Sequence, residues 1–371
     1  MTPLRIRKHP GSAARGIALA LACVVLVSTF LLFDSYPERE WTGKTVSIPK
    51  GSSLAVISSI FSEEKAIPHP LAFRGIALLT GTGRRLQYGE YTFPTPPSAY
   101  AAWRKLIAGD VVKYPVIVRP GSNIYDVAAV LGAYSLADPA KFLDAAISGP
   151  VLARLGISAE SAEGYLVPDT YNLVKNIEPE KILEIMVRPF RERFTPAMEQ
   201  KAAMAGLSVH EVVTIASIIE KETGVAEEKP LVSSVIRRRL ALGMPLQMDP
   251  TVIYGAKRFD GTVTKKDLQA PNPYNTYLNR GLPPGPIANP GSSSIAAALS
   301  PAKTDYLYFV SNNDGTHTFS RTHSEHALAV ENLRRLQREE AERKAAPAEA
   351  GEGASGEVES PTPPPLPSGP S

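Results

Sequence analysis

Two glutamates, Glu220 and Glu222, stand at the end of an otherwise apolar stretch of sequence, ASIIEKETG. On a helical wheel Glu220 lies beside Val213 and Glu222 lies next to Ile215, so both carboxylates border the apolar arc. Burial against apolar surface raises the pKa of a carboxyl group, and such a group can act as a general acid near neutral pH. A solvated helix end is the alternative, and the wheel alone does not choose between the two glutamates.

The helix that carries these glutamates has recognisable end signals. Ser208 and Glu211 have the spacing of a capping box, and Gly224 supplies a C-terminal stop. We therefore predict a helix from Ser208 to about Thr223.

The elements on either side of this helix can be predicted in outline. The chain from 138 onward is predicted to be mostly helical, with EGYLVPDTYNL (163–173) as a loop. The elements predicted beyond it are a helix from about Glu178 to Met204, a helix from about Lys229 to Leu242 ended by Gly243, a short helix capped by Asp249, an irregular loop at 272–291, a hairpin at 306–320, and a final helix from a Thr322–Glu325 capping box toward Lys344.

An internal repeat precedes these helices. SIPKGSSLAVISSIF (47–61) and IVRPGSNIYDVAAVL (117–131) align without gaps, so that Gly51 pairs with Gly121. Each copy predicts a short strand, a turn and a Ser-capped amphipathic helix. YGEYTFPTPPS predicts a further strand and turn before a helix at 99–107. A strand, a Gly-Ser turn and a helix resemble the LysM type of glycan-binding module, and a plain repeated supersecondary unit is the alternative.

An uncharged stretch near the N-terminus, 16–33, would form a helix of roughly 27 Å, close to the hydrocarbon thickness of a bilayer. Arg5, Arg7, Lys8 and Arg15 precede it, so the positive-inside rule leaves the N-terminus in the cytoplasm. A cleaved signal peptide is the alternative, but LLFDSYPE is a poor cleavage context.

Composition excludes several classes of function. Lys and Arg number 40 and Asp and Glu 37, a near-balance that argues against a nucleic-acid binder. The single cysteine, Cys23, excludes intramolecular disulfides and zinc sites built on several thiolates. Three histidines surround Glu325, but capping explains that glutamate, so we predict no metal site.

Five stretches together resemble the endolytic murein transglycosylase family, also called MltG or YceG-like. They are IASIIEKETG, VIRRRLALGMPLQMDPTVIYG, PYNTYLNRGLPPGPIANPG, EGYLVPDTYNL and DGTHTFSRTHSEH. The resemblance covers roughly Thr45 to Leu336, and the N-terminal apolar stretch fits it as well. His323 departs from the family pattern, in which a more hydrophobic residue is expected.

The resemblance implies one catalytic glutamate, the one that opens EKET, which is Glu220 here. Its implied role is to protonate the glycosidic oxygen between N-acetylmuramic acid and N-acetylglucosamine. It would then act as base on the C6 hydroxyl of the same muramic acid, which closes a 1,6-anhydro ring. A usual glycoside hydrolase needs two carboxylates, whereas here the substrate brings its own nucleophile. No cofactor is implied.

Oriented polar groups would stabilise an oxocarbenium-like transition state, and aromatic rings could hold sugars. Candidates for these tasks are Gln247, Asp249, Tyr254, Tyr274, Asn275 and Tyr277. Each has a structural alternative, since Asp249 can cap a helix and the tyrosines can pack. Two rival functions stay open: a hydrolytic muramidase with Asp249 as second carboxylate, and a non-catalytic peptidoglycan-binding scaffold that uses the repeat.

We therefore predict an α+β protein in five segments. They are a cytoplasmic N-terminus (1–15), a transmembrane helix (16–33), a LysM-like repeat-bearing module (41–135), a mainly helical lytic-transglycosylase domain with β-hairpin elements (136–344) and a disordered tail (345–371). The predicted location is the bacterial inner membrane, single-pass, with the body outside the cytoplasm. The implied partners are nascent peptidoglycan strands, whose elongation cleavage would end, and peptidoglycan synthases.

Overall fold

The structure is a computed structural model that describes residues 11–259 and 261–345. The chain divides into two compact units, one ending at Thr304 and the other beginning at Asp305. The predicted segment boundary near residue 135 stays a prediction. The predicted disordered tail lies outside the described residues except for residue 345, and residues 1–10 of the predicted cytoplasmic segment also lie outside them.

The first helix, α1 (Gly11–Phe33), is the one unbroken helix in the described part of the chain that is long and apolar enough to cross a membrane. Its candidate span, Ala14–Phe33, has a mean hydropathy of 2.7 and no part of it is buried. At its end, the Phe33 ring lies 5.0 Å from that of Tyr100. The structure thus has a single N-terminal apolar helix attached to a mixed α+β body.

The first copy of the repeat forms a strand–helix–helix–strand unit. Val46 and Tyr91 face each other in its antiparallel strand pair and are fully buried, together with Phe61 and Phe73. The elements, which follow a short 3-10 helix at Glu38–Glu40, are β1 (Lys44–Ile48), α2 (Leu54–Glu63), α3 (Pro70–Leu79), β2 (Gly89–Phe93) and α4 (Ala99–Ala108). The predicted strand, turn and Ser53-capped helix are confirmed.

The second copy repeats this plan and corrects two predictions. Its elements are β3 (Tyr114–Val118), α5 (Ile124–Ala133), α6 (Pro139–Ala146), α7 (Gly149–Arg154) and β4 (Asp169–Leu173). The prediction of a loop throughout 163–173 is wrong, because β4 pairs with β3 and alternately buries Tyr171 and Leu173. The predicted serine cap is also wrong here, since the Asn123 side chain accepts the N–H groups of the first turn.

Seven helices complete the first unit around α10, which buries eight consecutive residues, 212–219. The predicted single helix at 178–204 is wrong, because Pro196 lacks an N–H donor and Thr195 caps a new helix. The prediction that Gly224 stops α10 is also wrong, since Thr223 is already extended. The helices are α8 (Pro179–Arg193), α9 (Pro196–Met204), α10 (Val209–Glu222), α11 (Lys229–Ala241), α12 (Asp249–Gly255), α13 (Lys265–Gln269) and α14 (Ser292–Leu299).

The second unit contains the predicted hairpin and final helix. Strands β5 (Tyr308–Ser311) and β6 (His317–Ser320) pair antiparallel, and α15 (His323–Ala345) follows. The Thr322–Glu325 capping box is confirmed by hydrogen bonds in both directions. The described residues thus contain three separate two-stranded sheets among many helices, which confirms the α+β prediction.

Candidate active site

The Glu220 carboxylate lies at the centre of a hydrogen-bond network. Lys229 Nζ donates to Oε1 at 3.2 Å and to Oε2 at 3.3 Å. Oε2 also accepts the Gly291 N–H at 2.9 Å and the Ser294 hydroxyl at 2.6 Å. The side chains are nearly buried, with 9% of Glu220 and 7% of Lys229 exposed. These contacts tie the end of α10 to α11 and α14.

The local sequence explains why this network forms. Gly291 is the N-cap of α14, so Glu220 meets the positive end of that helix. A Cβ atom at position 291 would lie 3.3 Å from Glu220 Oε2, closer than most real contacts of a Cβ. Glycine at this position therefore lets the backbone N–H approach the carboxylate.

The Glu222 carboxyl group has a different environment. Its Oε1 is buried and has no hydrogen-bond partner among the described residues, whereas the residue as a whole is partly exposed. Burial and, to a smaller extent, the negative charge of Asp249 raise the pKa of Glu222 to about 8, although the positive charge of Arg239 opposes them. Because Glu220 and Glu222 are two positions apart on a helix, they point in different directions. The Glu222 carboxyl is therefore protonated at neutral pH, and the residue is partly accessible to solvent.

Asp249 and Tyr277, two of the predicted binding residues, lie beside Glu222. The Tyr277 hydroxyl donates to Asp249 Oδ1 at 2.5 Å. Burial and Asp249 raise the pKa of Tyr277, and Glu222 contributes to the same shift. The prediction that Asp249 caps α12 is wrong, because Met248 is the N-cap and Asp249 is the first helical residue. The Asp249 carboxylate therefore remains at the surface beside Glu222.

Gln247 precedes this helix in a left-handed conformation, with a φ of 53°. Its side chain is exposed, and its N–H donates to the Thr276 carbonyl at 3.1 Å. A left-handed non-glycine residue is uncommon and is held here by the surrounding loop. The structure thus places Gln247 two residues from Asp249, with its side chain free to meet a ligand.

Tyr254 and Tyr274 belong to an aromatic patch that we define as Tyr125, Tyr254, Phe259 and Tyr274. The rings of Tyr254 and Tyr274 lie 5.0 Å apart, and those of Tyr125 and Phe259 lie 5.3 Å apart. Phe259 is 41% exposed, and each of the three tyrosines is partly exposed. Partly exposed aromatic faces of this kind can stack on sugar rings, since they present apolar surface with a polar edge.

Glu163 supports this patch and was missed by the sequence predictions. It is 1% exposed, and its Oε2 accepts the Tyr254 hydroxyl at 3.1 Å and the Ile124 N–H at 3.0 Å. Burial raises the pKa of Glu163 to about 8. Its position in EGY, within a stretch taken for a loop, carried no signal that this carboxyl is buried.

Asn275 occupies a different kind of position from the other candidates. It is 1% exposed, and its side-chain nitrogen donates to the carbonyls of Leu268 and Ala270 at 3.1 and 2.9 Å. Its Oδ1 accepts the Tyr277 N–H at 3.0 Å. These contacts favour a role in shaping the loop that carries Tyr277, so the binding role of Asn275 stays a prediction without support from its surroundings.

Asn289 is a second residue that the sequence predictions missed. It is fully buried, and its Oδ1 accepts the N–H groups of Gly164 and Leu166 at 2.9 and 3.0 Å. Its Nδ2 donates to the Ser122 carbonyl at 2.9 Å. One side chain thus joins the second copy of the repeat to the loop before α14. Within the described ranges, no group of three or more His, Cys, Asp or Glu side chains is placed to hold a metal ion.

Comparison with known proteins assigns the chain to a family. A model of the YceG-like family matches residues 46–332. The chain belongs to the YceG-like family. The resemblance noted in the sequence is therefore confirmed.

Individual relatives share this description. The chain is 33% identical over 323 residues to an endolytic murein transglycosylase of Bacillus subtilis (strain 168), covering 81% of this chain and 87% of the relative. It is 26% identical over 299 residues to one of Streptococcus pneumoniae serotype 2, covering 72% of this chain and 54% of that relative. A crystal structure of a yceG-like protein from Listeria monocytogenes matches with a TM-score of 0.54 and 32% identity, covering 77% of this chain and 99% of that one.

Proposed function

We propose that this protein is an endolytic murein transglycosylase, a lyase that cleaves the bond between N-acetylmuramic acid and N-acetylglucosamine inside peptidoglycan strands. Membership of the YceG-like family and the names of the relatives support the substrate and the reaction class. The observation that carries the mechanism is the buried, unpartnered Oε1 of Glu222 on a partly exposed residue. The product would carry a 1,6-anhydro end, and cleavage of nascent strands would terminate their elongation.

We assign the acid and base steps to Glu222. With a pKa of about 8 it holds a proton at neutral pH, which it can give to the glycosidic oxygen as the bond breaks. The resulting carboxylate can then accept the proton of the C6 hydroxyl as that oxygen attacks the anomeric carbon. Protonated Glu222 is restored, the anhydro ring closes and no water is consumed.

The sequence-based assignment to Glu220 is the competing proposal. Glu220 accepts hydrogen bonds from the Lys229 ammonium, the Ser294 hydroxyl and the Gly291 N–H, which occupy its carboxylate oxygens. A carboxylate occupied in this way has to give up hydrogen bonds inside the protein before it can meet a glycosidic oxygen. Its contacts support a structural role, in which it fixes the end of α10 and so the direction of Glu222.

The surrounding residues supply possible contacts for sugars. Asp249 and Tyr277 lie near Glu222, Gln247 lies two residues before Asp249, and the aromatic patch offers ring faces for stacking. The two strand–helix units would form the LysM-like module, and their repeated strand–turn–helix plan supports a role in binding peptidoglycan.

The apolar helix α1 would anchor the protein in the inner membrane with its body outside the cytoplasm. Its length and hydropathy support the anchor, and the basic residues before it support the orientation. Anchored in this way, the enzyme would meet strands as peptidoglycan synthases release them. Co-purification with a synthase would test that association.

Product analysis of two matched variants tests the proposal. Purified peptidoglycan strands are incubated with wild type, Glu222→Gln and Glu220→Gln, and the products are weighed by mass spectrometry. We expect internal anhydro ends from wild type and none from Glu222→Gln. Products from Glu222→Gln at the wild-type rate would contradict the assignment, and inactivity of a folded Glu220→Gln alone would return the acid role to Glu220.

One observation favours a second candidate function. Asp249 is exposed and close enough to affect the pKa of Glu222, so the two carboxylates could form the pair that a hydrolytic muramidase requires. Products that are heavier than the anhydro products by one water, and that have reducing ends, would establish the hydrolytic function. Binding of peptidoglycan without any product would instead favour a scaffold.

A further inference from the structure

The two copies of the repeat contain the same turn between their strand and helix. Gly51 and Gly121 both have a φ of 80°, in the left-handed region that favours glycine. The Ser52 N–H donates to the Pro49 carbonyl at 3.2 Å, and in the second copy the Ser122 N–H donates to the Arg119 carbonyl at 3.1 Å. The two turns therefore have the same backbone conformation at the glycine and the same internal hydrogen bond.

The turn of the second copy binds a segment of the chain itself. The Gly121 N–H donates to the Asn289 carbonyl at 2.9 Å, and the Asn289 N–H donates to the Ser122 carbonyl at 2.8 Å. The backbone N–H and C=O of one residue are thus both paired with two consecutive residues of the turn. This turn binds the backbone of one peptide residue.

The turn of the first copy has the same groups and no occupant. In the described chain, neither the Gly51 N–H nor the Ser52 carbonyl has a hydrogen-bond partner. Both residues line an open cavity of about 670 Å³. Its other walls include Ile48, Leu54, Leu78, Arg84, Leu86 and Tyr88. The cavity therefore combines apolar walls with one cationic side chain beside an open backbone donor and acceptor.

We propose that the first copy binds the stem peptide of peptidoglycan at the Gly51–Ser52 turn. The choice of a peptide comes from the second copy, where the equivalent groups bind the backbone N–H and C=O of one peptide residue. A sugar acetamido group fits less well, because its N–H and C=O point in opposite directions from one amide. The choice of the stem peptide rests on the proposed function, and its free carboxylates complement the exposed Arg84.

The site would sit apart from the reaction. Its lining residues belong to the first copy, whereas Glu222 and its neighbours belong to the helical part and the loop that follows. Binding there would hold peptide-bearing strands and leave strands without peptides unrecognised. The first copy would thus recognise the peptide substituent, whereas the residues that cleave the sugar strand would not contact it.

Two pairs of adjacent exposed residues provide variants and controls. Arg84 and Leu78 line the cavity, whereas Arg85 and Leu79 are exposed but do not line it. Full-length protein in detergent is titrated calorimetrically with a synthetic stem peptide. We expect Arg84→Glu and Leu78→Glu to weaken binding roughly tenfold, as loss of a charged hydrogen bond or blocking of the cavity would. Arg85→Glu and Leu79→Glu should bind like wild type.

A second probe distinguishes the peptide from the sugar. Strands stripped of their peptides by an amidase should not bind at the cavity, so their affinity should be the same for Arg84→Glu and Arg85→Glu. Equal weakening in both members of each pair, no binding of the peptide, or loss of stripped-strand binding in Arg84→Glu alone would overturn the proposal. The titration measures binding alone, so a protein that binds the peptide but never cleaves strands would refute the proposed function and leave this site standing.

Discussion

Replacing the two glutamates of EKET one at a time should change stability in opposite directions. Glu220→Gln removes the charge that faces Lys229, whose side chain is 7% exposed. Loss of one partner of a buried ion pair costs about 3–5 kcal/mol, since the other charge is left uncompensated. We therefore expect Glu220→Gln to unfold at a clearly lower denaturant concentration than wild type.

Glu222→Gln should have the opposite effect at neutral pH. The folded carboxyl has a pKa of about 8, against 4.5 for its ordinary value, so unfolding at pH 7 releases a proton. A folded state that holds the extra proton loses stability as pH rises between these two values, by about 1.4 kcal/mol per pH unit. The accumulated cost at pH 7 is roughly 3 kcal/mol, discounted to some extent because the residue is partly exposed. Glutamine does not titrate and avoids this cost.

The assay is denaturant unfolding of detergent-solubilised wild type and both variants at several values from pH 5 to pH 8.5. Glu163 also has a pKa of about 8, but it is present in every protein and cancels in the differences. The gain in stability of Glu222→Gln over wild type should grow as pH rises across this range. A difference that does not vary with pH, or a Glu220→Gln variant as stable as wild type, would refute the electrostatic reasoning.

Three further predictions concern catalysis and packing. The rate of anhydro-product formation should fall as pH rises through about 8, because Glu222 then loses the proton it donates; a rate that still increases to pH 9 would contradict this. Asp249→Asn should move that fall to lower pH by less than about one unit, since it removes an exposed negative charge that raises the pKa of Glu222, and a pH–rate profile of the variant measures it. Asn289→Ala should destabilise the protein by at least about 2 kcal/mol in denaturant unfolding, because it leaves the Gly164 and Leu166 N–H groups unpaired inside the protein, whereas the Ser122 carbonyl keeps its bond from the backbone N–H of residue 289.

Much of the fold could be predicted because its signals are local. The capping box at Ser208 and Glu211, the gapless repeat and the Asn-Asp-Gly hairpin each depend on residues within a few positions of one another. Backbone hydrogen bonding and side-chain periodicity act over that same range. These predictions were therefore confirmed with boundaries close to those of the structure.

The errors arose where a distant partner decided the local conformation. Residues 169–173 became a strand because β3 lies about 50 residues earlier and offers an unpaired edge. The Asp249 side chain turned to Tyr277, 28 positions away, and left the capping position to Met248. Neither partner can be recognised from the residues next to the site.

The sequence by itself determined that a carboxyl group at the end of α10 would border apolar surface, that an apolar helix precedes the body, and which family the motifs resemble. Only the tertiary structure distinguished the two glutamates. Glu220 accepts hydrogen bonds from Lys229 and, 71 positions away, Gly291, whereas burial and the nearby charge of Asp249 raise the pKa of Glu222 to about 8. The physical reason is that a helical wheel fixes the direction of a side chain, while its pKa depends on what the folded chain brings to that side.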